Sequence, residues 1–63
     1  AALPVLSVRI LELAKEHGRV TVRAIEQATG ESRSTIKARL KQLTEDRLLV
    51  RYGGGRSTWY GLA

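Results

Sequence analysis

The sequence has no cysteine, no methionine and no phenylalanine, and only one proline, one histidine and one tryptophan. Without cysteine, neither a disulfide framework nor a thiolate zinc site can brace a chain of 63 residues, so packing alone must hold it together. A domain of this size buries only about 60% of the surface its unfolded chain exposes, which allows one compact core and leaves no room for a substrate cleft. The apolar 43% is mostly Leu, Val, Ile and Ala, a composition suited to short helices packed together. No apolar run approaches the roughly 18 residues of a membrane span, and residues 1 to 14 lack a basic leader followed by an uninterrupted apolar stretch. The expectation is a soluble, cytoplasmic chain without membrane association. A start at Ala1 fits an excised domain, so residues 1–63 are read as one domain of a longer protein.

Charge is present but unevenly placed. Residues 1 to 31 set Arg9, Lys15, Arg19 and Arg23 against Glu12, Glu16, Glu26 and Glu31 and are neutral. Residues 32 to 63 set Arg33, Lys37, Arg39, Lys41, Arg47, Arg51 and Arg56 against Glu45 and Asp46 alone, and carry the whole net charge of +5. A basic surface confined to half of a chain attracts phosphate backbones, although a merely solvated face is also compatible with it.

The apolar periodicity divides the chain. Leu6, Ile10, Leu13 and Ala14 recur at helical spacing after Pro4, and His17-Gly18 closes the pattern, giving a helix over about 4–17 with the histidine near its end rather than in a ligand site. Arg19-Val20-Thr21 reads as a brief strand leading into Thr21 as an N-cap. A short helix over about 21–29 follows, with Val22, Ile25 and Ala28 inward and Thr29-Gly30 as its stop. Ser32 is the next N-cap, its hydroxyl placed to accept from the backbone N–H of Ser34 or Thr35, and Ile36, Leu40 and Leu43 mark the buried stripe of a helix over about 32–46. A short helix closing on Gly, followed almost at once by another N-cap, is the sequence form of a helix-turn-helix corner. Strands over about 48–52 and 57–62, joined through the glycines at 53–55, complete a hairpin in which Val50, Tyr52, Tyr60 and Leu62 are candidate core residues and Trp59 points the other way. The expected fold class is therefore mainly α with a small β-hairpin, a three-helix winged helix-turn-helix.

At 100° per residue, about the α-helical turn, Ser34, Lys37, Ala38 and Lys41 lie opposite the Ile36, Leu40 and Leu43 stripe. Arg39 flanks that stripe, where its stem can cover apolar surface. The face so formed is small and basic, as a helix entering the major groove of DNA must be. Ser34 and Thr35 can donate or accept, Lys37 and Lys41 can reach guanine edges or phosphates, and Ala38 permits close approach or meets a thymine methyl. Arg33 is the strongest candidate for a base or phosphate contact. A phosphate can also bind at the helix N-terminus beside Ser32 and Ser34. Arg56 at the hairpin tip is placed for the minor groove or a phosphate, assisted by Ser57 and Thr58, and Arg51 for similar work from the strand.

The stretches TVRAIEQATG, SRSTIKARLKQL and LLVRYGGGRSTWYGL resemble bacterial winged helix-turn-helix domains of DeoR-like regulators. They are also similar to C-terminal modules of Fic-type and helicase-related proteins. The resemblance implies a right-handed three-helix core with a two-stranded wing, Arg33, Ser34, Thr35, Lys37 and Lys41 on the recognition helix and Arg56 on the wing. It implies double-stranded DNA binding in transcriptional regulation or within a larger protein. Domains that bind left-handed nucleic acid carry a Trp where Trp59 stands, but they place an Asn and a Tyr where this chain has Lys37 and Lys41.

Other chemistries find little support. Gly53 to Ser57 lacks the lysine and following helix of a phosphate loop, and its glycines fit a turn that needs positive φ. No nucleophile and base, metal cluster or carboxylate pair is apparent, so a non-enzyme without cofactor or metal is expected. Trp59 on a small hairpin is read first as core cover and second as a stacking platform. The alternative to DNA binding is a protein-interaction or autoregulatory module, which would expose apolar residues on the third helix. With two lysines and few amides on that helix, useful specificity calls for a homodimer, a neighbouring domain or DNA shape. The sequence names no small-molecule effector.

Overall fold

A computed structural model describes residues 4–54 and 57–63, as three helices and a two-stranded antiparallel sheet. The helices are α1 (Val5–His17), α2 (Val22–Thr29) and α3 (Arg33–Glu45), and the strands are β1 (Leu49–Tyr52) and β2 (Trp59–Leu62).

Helix ends follow the local chemistry anticipated from the sequence. Pro4 sits just outside α1 rather than inside its first turn. Gly18 and Gly30 close α1 and α2 in the left-handed conformation, with φ of 79° and 74°, returning their N–H groups to Ala14 and Glu26 carbonyls. Thr21 caps α2 by accepting from the Ala24 N–H at 3.1 Å. α3 ends differently. Arg47 takes φ of 62°, a conformation in which the Cβ of a residue other than glycine crowds its own backbone. Its N–H donates to the Thr44 carbonyl at 3.1 Å and that of Leu48 to Leu43 at 2.9 Å, so the helix closes in a Schellman motif with arginine in glycine's place.

One core serves the described residues. Ile10, Leu13, Ala14, Val20, Ile25, Ile36, Leu40, Leu43 and Leu49 are buried, and Leu6, Leu11, Val22 and Tyr60 pack against them half-buried. Ser7 is also buried, one turn before Ile10 and Leu11. Ala28, expected inward, is exposed. Three-residue spacing drifts about 60° per step around a helix, which carries Ala28 off the arc that Val22 and Ile25 share.

The hairpin departs further from expectation. Its register pairs Leu49 with Leu62, Val50 with Gly61, Arg51 with Tyr60 and Tyr52 with Trp59. Directly opposed residues share a face, so Leu49, Arg51, Tyr60 and Leu62 lie on one side and Val50, Tyr52, Trp59 and Gly61 on the other. Leu49, not Val50 or Tyr52, enters the core; Val50, Tyr52 and Leu62 are exposed, and Tyr60 is half-buried. Alternation supplies the period of a strand but not its phase. The phase is set by the close of α3, where Leu48 is bonded back to Leu43 and accepts from the Ala63 N–H at 3.2 Å.

The expected strand at residues 19–21 contracts to a single bridge. Val20 and Tyr60 exchange two backbone hydrogen bonds, each 2.8 Å, which joins the α1–α2 connector to β2.

Replacing Arg47 with glycine should relieve the crowded conformation at the end of α3. Part of the gain is offset by the freer unfolded chain, leaving a net stabilisation of about 0.5 kcal/mol. Thermal unfolding followed by circular dichroism should show the midpoint rising by roughly 2–4 °C.

Candidate nucleic-acid interface

The corner between α2 and α3 consists of Gly30, Glu31 and Ser32. Ser32 accepts from the Thr35 N–H at 3.3 Å and donates to Thr35 Oγ1 at 2.9 Å, with Ser34 Oγ 3.4 Å away. The three hydroxyls thus form one exposed cluster around the first turn of α3, where the helix presents partial positive charge. Across the corner, the Arg33 guanidinium donates to Glu26 Oε1 at 3.3 Å. Both groups keep contact with solvent, so the pair adds little stability, but it holds the arginine against α2.

From this corner a concave surface runs between α3 and the hairpin. A cleft of about 650 Å³ is bounded by Thr21, Val22 and Arg23 of the α2 N-terminus, Arg33 and Lys37 of α3, and Arg51, Thr58 and Tyr60 of the hairpin. A second hollow of about 220 Å³ continues along Lys37, Lys41, Thr44 and Glu45, again walled by Arg51 and Tyr60. Lys37, Arg51 and Tyr60 border both, which makes a single groove. Four cations face the larger cleft, and such a concavity concentrates positive potential and attracts polyanions.

The residues singled out from sequence fall into groups. Arg33, Lys37, Lys41, Arg51 and Thr58 line the groove, with Thr58 half-buried. Ser32, Ser34 and Thr35 form the capping cluster, and Ala38 is exposed on α3. Ser57 is exposed and turned into the hairpin loop, its N–H donating to the Gly54 carbonyl at 3.3 Å. Arg56 lies outside the described residues. Arg39 is half-buried, in keeping with a stem laid over the core. Sequence reasoning missed Arg23 and Tyr60 as groove residues. Arg23 was lost in a half-chain that sums to zero charge, and Tyr60 was assigned to the core. The signal for both is the bridge at Val20, which brings the start of α2 against the hairpin.

The other face of the hairpin is aromatic. Tyr52 and Trp59 stack with ring centroids 4.3 Å apart and planes 16° from parallel, and the Arg19 guanidinium carbon lies over the Trp59 ring, 5.6 Å from its centroid. Gly61 is buried beside them: a Cβ there would stand 3.4 Å from the Tyr52 ring and 3.6 Å from that of Trp59. At the turn, Gly53 has φ of 72°, and a side chain on it would run into the Ser57 carbonyl oxygen, so the glycine is needed for both conformation and space.

Three helices, a capped corner and a hairpin flanking the third helix define a winged helix-turn-helix. Residues 6–50 match the family model for winged helix-turn-helix DNA-binding domains, nearly all of the three helices and the first half of β1, and the chain belongs to this family. No match is found among curated proteins. Among the described residues no helix is long and apolar enough to cross a membrane.

The capping cluster makes its own test. Ser32→Ala should destabilise the domain by about 1 kcal/mol, whereas Ser32→Gly should cost only a few tenths, as measured by urea unfolding of the two variants beside the unmodified chain.

Proposed function

We propose that this DNA-binding domain engages double-stranded DNA with α3 in the major groove and the hairpin against the flanking backbone. The observation that carries this reading is the groove itself, where Arg23, Arg33, Lys37 and Arg51 from three elements converge beside the exposed face of α3. Major-groove entry requires a helix face free of bulk, and Ser34, Thr35, Lys37, Ala38 and Lys41 are all exposed there. Ser32 and Ser34 beside the helix N-terminus favour a phosphate, as do Arg51, Ser57 and Thr58 on the hairpin, together with Arg56. The protein-interaction alternative finds no support on α3, since none of its exposed residues is a large apolar one.

The role is transcriptional regulation, or DNA attachment of a longer protein in which residues 1–63 are one domain. The resemblance to DeoR-like regulators supports the first. Lys37 and Lys41 are better suited to phosphates and guanine edges than to reading a long site, so specificity would come from a homodimer, an adjoining domain or DNA shape. The proposed mode of binding needs no cofactor.

Binding to a random duplex of about 20 base pairs should weaken steeply as salt rises, because neutralised phosphates release counterions. Arg33→Ala and Lys37→Ala should each reduce affinity by about five- to 100-fold, while Arg9→Ala and Lys15→Ala on α1 should change it little. Amide shifts in an NMR titration should concentrate at residues 32–41 and 53–58. Equal losses at all four positions would reduce the interaction to overall charge attraction, and a spectrum unmoved at low salt would favour a protein partner.

A further inference from the structure

Arg51 reaches the groove only because of the register of the hairpin. A slip of one residue would turn it to the opposite face, since strand side chains alternate. On the back of the hairpin Tyr52 and Trp59 occupy directly opposed positions and stack, which reinforces the register begun at the close of α3. Aromatic pairs at such positions are the contacts that pin strand pairing. Gly61 lies beside the two rings, where an added Cβ would stand in van der Waals contact with both.

Arg19 completes this back face from outside the hairpin. It is exposed, borders neither part of the groove, and lies over the Trp59 ring. It also directly precedes Val20, whose two hydrogen bonds to Tyr60 attach β2 to the helical body. Backbone bridge and cation–π contact thus grip two consecutive residues of β2 from two consecutive residues of the connector. The first acts next to the groove face and the second on its reverse.

We propose that Arg19 is a positioning residue for DNA binding: through Trp59 it holds the wing at the angle that presents Arg51 beside Lys37. The inference rests on the DNA-binding reading above. It assigns to one basic residue a role other than meeting phosphate. A cation over a half-buried aromatic ring at the surface contributes modestly, so its loss should shift the docked wing by about two- to fivefold.

The test uses Arg19→Gln, an exposed exchange that leaves the core untouched, alone and combined with Arg51→Ala. In the free protein, hydrogen exchange at the Val20 and Tyr60 amides should quicken about two- to fivefold, since these amides report opening of the bridge. Fluorescence anisotropy with a labelled random duplex should show an affinity loss of about the same size. That loss should be smaller in the Arg51→Ala background, because a residue acting through the wing then no longer has its strongest phosphate contact to position. Unchanged exchange overturns the inference, and so does an Arg19→Gln loss that multiplies with that of Arg51→Ala, which would mark a direct phosphate contact. A duplex that fails to bind the unmodified chain overturns the DNA reading and this use of the wing together, while faster exchange would still establish the clamp.

Discussion

Two hydrogen bonds between Val20 and Tyr60 carry more of this architecture than their number suggests. A two-stranded hairpin is marginal in water by itself, and β1 and β2 present only Leu49 and part of Tyr60 to the core. The bridge makes the hairpin an extension of the α1–α2 connector, whose position is in turn set by the closure of α1 at Gly18 and the capping of α2 by Thr21. The start of α2, the outer face of α3 and the hairpin consequently become three walls of one groove. The bridge helps to set Arg23 and Arg51 on one surface.

The groove collects like charges at close quarters, an arrangement that opposes folding. The chain meets this with solvent and with carboxylates, Glu26 set against Arg33 and Glu45 bordering the second hollow. The ion pair restrains Arg33 without burying it, so its guanidinium is already ordered near the helix N-terminus. Ordering a long side chain before association reduces the entropy lost on binding.

The three helices were legible because their signals are local. Thr21 and Ser32 mark the starts of α2 and α3, Gly18 and Gly30 the stops before them, and the Ile36, Leu40 and Leu43 stripe shows which side of α3 faces outward. The outward face of α3 could therefore be read from spacing alone. The hairpin could not, because both phases of its alternation place apolar residues on one side: Val50 and Tyr52, or Leu49 with Tyr60 and Leu62. The choice between them is made by the turn after α3, where Arg47 adopts a conformation that its residue type does not announce. Arg23 escaped for a related reason. Its membership of the groove depends on a pairing between residues far apart in the sequence, and no local pattern encodes it.

The placement of the aromatic residues has an optical consequence. Trp59 is the sole tryptophan, and it resides on the wing, stacked on a tyrosine and half-covered, while the three helices contain no aromatic residue at all. Intrinsic fluorescence and near-ultraviolet ellipticity therefore report on the hairpin, and far-ultraviolet ellipticity on the helical body. The two halves of the groove carry separate spectroscopic labels without any modification, and the degree to which their signals move together measures how tightly wing and helices form one cooperative unit.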